Sequence, residues 1–175
     1  MHWRGIVGAL VGGLLAGCAA YDGFSLQAGG GRIEALERIM GQPAMRWNDA
    51  DGGQTLVYPR GPMGFHTFFV RSDALGNFVG RENVLDTGHF SRIQVGMTQD
   101  QVLRILGPSV AEWTTYFKAR DELVWEWRFC DDWNEPARFN VLFDGSSRQV
   151  RSTLSAPESS RAMSISDDRR GWCGH

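Results

Sequence analysis

Met97-Thr98-Gln99-Asp100-Gln101-Val102-Leu103-Arg104-Ile105-Leu106-Gly107-Pro108 contains the start, the apolar stripe and the stop of one short helix. Thr98 is placed to cap the helix while Gln101, three residues on, reaches back, a capping box, and Met97 and Val102 occupy the flanking staple positions. Asp100 suits the positive end of the helix dipole. Val102, Ile105 and Leu106 fall on one face, and Gly107 followed by Pro108 ends the helix.

The same order of residues occurs earlier in the chain. Leu36-Glu37-Arg38-Ile39-Met40-Gly41 aligns with Val102-Leu103-Arg104-Ile105-Leu106-Gly107, and Trp47 aligns with Trp113 at the same offset. Leu56-Val57-Tyr58 and Leu123-Val124-Trp125 follow one residue out of step. Ile33, Leu36, Ile39 and Met40 repeat the apolar stripe, stopped by Gly41 with Pro43 beyond, so both helices are predicted to be short, about ten residues each. Apolar helix, glycine stop, tryptophan and strand in the same order twice predict an internal duplication.

Strand signals follow each helix. In Leu123-Val124-Trp125-Glu126-Trp127-Arg128-Phe129 the odd positions are apolar while Glu126 and Arg128 point the other way, the pattern of a half-buried antiparallel strand. Phe139, Val141 and Phe143 alternate with Arg138, Asn140 and Asp144, and Asp144-Gly145-Ser146-Ser147 turns the chain toward a strand over 150–154. Residues 55–58, 66–71 and 78–84 supply strands to the first copy, separated by 59–64 and 73–77. Strands grouped after helices predict an α+β fold: short helices packed on one face of an antiparallel sheet, in two tandem units, residues 32–85 and 86–154. The other sheet face is left free to bind. Residues 155–175, rich in serine and charge, read as an irregular tail.

At the other end, residues 1–17 read as a signal peptide. Gly5-Ile6-Val7-Gly8-Ala9-Leu10-Val11-Gly12-Gly13-Leu14 is apolar but falls short of the roughly 20 residues that span a bilayer. Leu15-Ala16-Gly17-Cys18 resembles the bacterial lipobox, in which small residues lie extended in a peptidase cleft and the cysteine thiol takes up a diacylglycerol. That resemblance implies Cys18 as the lipid attachment site and first mature residue. The three acyl chains usual for such lipoproteins would make membrane anchoring practically permanent. Ala19, and no Asp, follows the cysteine, which by analogy with bacterial sorting rules directs the chain to the outer membrane. The alternative is an ordinary secretory signal with a chance cysteine, or an uncleaved anchor. Residues 18–31, with Gly23, Gly29, Gly30 and Gly31, read as a flexible tether reaching on the order of 40 Å at about 3.5 Å per extended residue.

With Cys18 consumed by lipid, Cys130 and Cys173 remain in an oxidising compartment, and a disulfide between them is the leading assignment; two free thiols are the alternative. Cysteines so far apart in sequence lack paired metal-ligand spacing, so a zinc site is not expected. The formal charge is -2, with 18 basic and 20 acidic residues interspersed, which argues against nucleic-acid binding.

Candidate chemistry is thin. His66 and His89 lack any accompanying nucleophile motif, so both read as structural or surface residues. Asp131 and Asp132 read as solvated loop acids. Trp125 and Trp127 read as core, whereas Trp133, in the loop after the strand, reads as an exposed anchor. Tyr116 and Phe117 lie on opposite faces if residues 113–118 are extended.

Phe90-Ser91-Arg92-Ile93-Gln94-Val95-Gly96-Met97-Thr98-Gln99-Asp100-Gln101-Val102-Leu103-Arg104-Ile105-Leu106-Gly107-Pro108 resembles the signature of the SmpA/OmlA family, the BamE-like outer-membrane lipoproteins. The resemblance covers roughly residues 86–154, including the aromatic strand over 125–129 and the strand and turn over 139–145. It implies a lipid-anchored scaffold or binding protein that faces the periplasm from the outer membrane and assists β-barrel assembly or envelope integrity, with no cofactor and no catalysis. Members of that family usually carry one such unit. Two units in tandem resemble the β-lactamase inhibitory proteins, whose doubled sheet presents a concave face to another protein, and imply the alternative of an inhibitor-like or ligand-binding lipoprotein acting on a cell-wall or periplasmic enzyme. On either reading, sheet-face residues near Arg128 and Trp133 are the candidate partner-binding positions.

Overall fold

The computed structural model describes residues 31–161 and Cys173. The signal segment, Cys18 and the tether up to residue 30 lie outside the described residues, as does the tail apart from residues 155–161 and Cys173. Helix α1 (Ile33–Met40) leads into strands β1 (Met45–Asn48), β2 (Gln54–Pro59), β3 (Thr67–Ser72) and β4 (Phe78–Asn83). Helices α2 (Thr87–Phe90) and α3 (Gln99–Leu106) lead into β5 (Thr115–Phe117), β6 (Glu122–Cys130), β7 (Pro136–Asp144) and β8 (Val150–Pro157). The strands form two four-stranded antiparallel sheets, ordered β1-β2-β3-β4 and β5-β6-β7-β8. The class is mixed α+β.

Helix α3 forms as its sequence dictates. The Thr98 N–H donates to Gln101 Oε1 at 2.8 Å and the Thr98 hydroxyl accepts from the Gln101 N–H at 3.3 Å, closing the capping box. Gly107, at φ +70°, ends the helix with its N–H on the Leu103 carbonyl. Gly41, at φ +83°, ends α1 in the same way on Glu37. Of the predicted α1 stripe, Ile33, Leu36 and Met40 are buried, while Ile39 is exposed.

Two apolar clusters hold the sheets. Ile33, Leu36 and Met40 of α1 pack with Leu56, Tyr58, Phe68, Val70 and Phe78 on one face of the first sheet. From its opposite face, Val57 and Phe69 join Phe90 of α2, Val102 and Leu106 of α3, and Trp127, Phe129, Phe139, Val141 and Phe143 of the second sheet. Phe90 stacks on Phe139, with centroids 4.0 Å apart. The first sheet is therefore covered on both faces. This corrects the expectation that helices take one face only, and it explains why β2 is buried at Thr55, Leu56, Val57 and Tyr58 without alternation. In the second sheet Leu123, Trp127 and Phe129 of β6 are buried toward the helices; Glu126 and Asn140 on the other face are also buried, and among the described residues the rest of that face is partly open.

Two further expectations change. Strand β1 was not foreseen. Residues 155–161 are not irregular: β8 runs on to Pro157 and a 3₁₀ turn (Glu158–Arg161) follows. The Cys130 and Cys173 sulfurs stand at disulfide-bonding distance, with Cα atoms 5.9 Å apart.

Candidate functional site

The partly open face of the second sheet is a concavity of about 700 Å³. Its floor follows from register. Val124 of β6 faces Leu142 of β7, Glu126 faces Asn140, and Asn140 faces Leu154 of β8. A 3₁₀ turn (Ala111–Trp113) and Phe117 of β5 raise one wall.

Four of the five charged side chains that line the concavity pair with one another. Glu126 is only 4% exposed and accepts a hydrogen bond from Nη1 of Arg138. The Arg138 guanidinium carbon lies 3.7 Å from the Trp113 ring centroid, so the indole face supplies a second attraction to the same cation. Arg120 Nη2 stands 2.8 Å from Glu122 Oε1. With these cations and anions paired, the surface left for a partner is the apolar set Trp113, Phe117, Val124, Leu142 and Leu154 together with the exposed carboxylate of Glu112.

Arg128, the predicted contact, lies farther along the same face, and its donors are committed. Nε and Nη2 each donate to Glu158, at 2.8 Å, and Nη1 donates to the Met63 carbonyl at 3.3 Å. Its guanidinium carbon also lies 4.3 Å from the Phe65 ring centroid. Arg128 thus ties the loop at residues 60–66 and the 3₁₀ turn after β8 to the second sheet. Burial pushes the Glu158 carboxyl up, but the hydrogen bonds and charges of Arg128 and Arg138 outweigh it and hold that carboxyl below the ordinary range.

Trp133 is where the sequence puts it, at the tip of the β6–β7 hairpin and 83% exposed. Asp131 shapes that tip, its Oδ1 accepting from the Trp133 N–H at 2.9 Å and the Glu135 N–H at 2.8 Å. The Cys173 N–H donates to Asn134 O at 3.3 Å, so the tail is joined to the same hairpin. Trp127 is buried and Trp125 is half-buried against the core. Tyr116 and Phe117 are both exposed on the three-residue edge strand β5, where Arg120 lies over the Phe117 ring and the Tyr116 hydroxyl donates to Asp121.

The two histidines are used locally. His89 belongs to the α2 cap: its N–H donates to Asp86 Oδ1 at 2.8 Å and its Nδ1 lies 2.9 Å from the same oxygen. Burial raises the Asp86 carboxyl, yet the His89 contacts outweigh it and leave it lowered. The His66 ring stacks on Phe68 at 5.4 Å. Among the described residues no three His, Cys, Asp or Glu side chains gather as a metal site, and no helix is long and apolar enough to cross a membrane.

Sequence reading missed Arg138, Glu126, Glu158 and Trp113 as a connected group. No sequence signal marked the group: the alternation sets Glu126 on the polar face of its strand, and its burial and its pairing with Arg138 arise from the packing. Against family models, curated proteins and solved structures the chain finds no match.

Proposed function

We propose that the chain is a lipid-anchored scaffold or binding protein of the bacterial outer membrane, its domain facing the periplasm, that assists β-barrel protein assembly or envelope integrity and performs no chemistry. The observation that carries the binding role is the concavity on the second sheet, where Glu126 and Glu122 are paired with arginines and apolar side chains are left accessible, beside a first sheet with both faces occupied. Pairing Glu126 with Arg138 and Glu122 with Arg120 lowers the desolvation penalty of covering this face, so a partner that brings apolar side chains and a donor or cation for Glu112 fits it. Cys18 supplies the anchor. Membrane confinement raises the local concentration of the domain near its partners and lets a modest interface be occupied.

The repeated order of helix, glycine at positive φ and four-stranded meander supports reading the chain as two tandem units. The concavity on the second sheet also favours a second reading, an inhibitor-like or ligand-binding lipoprotein that acts on a cell-wall or periplasmic enzyme.

The test is intact-mass analysis of the full chain from the membrane fraction, paired with in-cell photo-crosslinking from position 133. A chain that begins at Cys18, carries acyl groups and traps barrel-assembly subunits is the expected result. Trapping a soluble periplasmic enzyme favours the second reading, and an unmodified Cys18 on a chain that washes out freely overturns both.

A further inference from the structure

Among the described residues, each sheet ends in strands whose outer backbone groups have few partners, and three of the four edges are short or charged. β1 has four residues, with Arg46 salt-bridged to Glu37 of α1. β4 carries Arg81 and Glu82, the latter bridged to Arg71. β5 has three residues. Short length and charge are the usual ways of keeping an edge from pairing with another chain. β8 has neither. It runs for eight residues, Val150–Pro157, and is exposed at every position from Arg151 to Ser155.

Its protection is confined to the two ends. Val150 is already paired on its outer side, accepting from the Gly96 N–H and donating to the Met97 carbonyl, both at 2.8 Å. The register with β7 shifts between Leu142 and Phe143, a bulge at Arg151. Pro157 has no N–H to donate. Between these stops lie Ser152, Thr153, Leu154 and Ser155, uncharged, extended and exposed among the described residues, and the half-buried Ala156. Unpaired N–H and C=O groups in extended geometry are recognised by one kind of partner, another extended strand.

We propose that β8 pairs antiparallel with β8 of a second copy about a two-fold axis at Leu154. That registration sets Leu154 against Leu154, Thr153 against Ser155, Ser152 against Ala156 and Arg151 against Pro157. The strand is self-complementary in charge, since Arg151, its one ionisable residue, meets a proline and not another arginine. Leu154, 57% exposed, gains its counterpart as a neighbour on the partly open face, so the concavities of the two copies become continuous across a sheet of doubled width. The inference goes beyond the scaffold role and holds whether or not Cys18 is acylated.

The test uses the full chain in mild detergent, with mass determined by sedimentation over a concentration series and oxidative crosslinking of Leu154→Cys compared with Val79→Cys, which lies on the β4 edge and is also exposed. Two copies are expected, with crosslinked pairs from position 154 and not from position 79. Leu154→Lys, which places like charges opposite each other on an exposed site, weakens self-association roughly tenfold or more with the circular dichroism unchanged. A chain that stays monomeric at every concentration, self-association that survives Leu154→Lys, or equal crosslinking from position 79 overturns the proposal.

Discussion

Arg128 of β6 and Arg138 of β7 stand directly opposite each other across the ladder, and Glu158 bonds to both, receiving Nε and Nη2 of Arg128 at 2.8 Å and Nε of Arg138 at 2.9 Å. Two like charges in register repel. The carboxylate converts that repulsion into a bridge, and in doing so docks the 3₁₀ turn that follows β8 onto the second sheet.

Glu158→Gln keeps the shape and removes the charge, leaving Arg128 without a carboxylate and Arg138 with Glu126 alone. The group is partly exposed, so a loss of about 1–2 kcal/mol is expected. Urea unfolding followed by tryptophan fluorescence measures it. A midpoint equal to that of the wild type would show that the bridge adds nothing.

The same carboxyl gives a pH signature. Its folded pKa lies below the ordinary value of 4.5, so the unfolded chain binds the proton first as pH falls. The stabilisation is complete above the unfolded pKa and is lost as pH drops through the folded one. The stability difference between wild type and Glu158→Gln is therefore expected to be largest near about pH 6 and to shrink toward about pH 3. A difference that stays constant across that range places its origin elsewhere than in this titration.

Gly107 and Gly41 separate backbone strain from packing. Both sit at positive φ, +70° and +83°, where any other residue is strained. A Cβ on Gly41 would meet nothing within 4 Å, while one on Gly107 would come within 2.9 Å of Thr67 Cγ2 and Val57 Cγ1. Gly41→Ala is expected to destabilise by about 1 kcal/mol and Gly107→Ala by about 2–4 kcal/mol, the excess measuring how tightly the end of α3 rests on the first sheet. Equal losses in chemical denaturation would contradict that docking.

What was legible in the sequence was local or periodic. The Thr98–Gln101 capping box needs four consecutive residues, and the alternation of β6 needs only its own side chains, so both could be read directly. β1 could not, since Met45-Arg46-Trp47-Asn48 is too short to establish a period. The coverage of both sheet faces had a signal, the unbroken apolar run Leu56-Val57-Tyr58, which marks a strand buried on both sides. The Glu126–Arg138–Trp113 group and the Arg128–Glu158 bridge were illegible because they depend on the register of β6, β7 and β8 and on where the following turn docks. Glu158 lay in a serine-rich stretch that gives no hint of either.

Cys173 is buried, sits at disulfide distance from Cys130, and closes a loop with a sequence separation of 43. On the chain-entropy account a crosslink of that span contributes about 4 kcal/mol, because it restricts the unfolded chain far more than the folded one. Cys173→Ser and Cys130→Ser should each lower the urea midpoint by a large and similar amount. The double variant should lose little beyond either single one, since the second substitution removes a bond already broken. The Cys173 N–H also donates to Asn134 O in the turn that carries Trp133, so hydrogen exchange at residues 131–135 should quicken in all three variants. Additive losses, or unchanged exchange at that turn, would show the two cysteines acting separately and the Trp133 hairpin held by Asp131 alone.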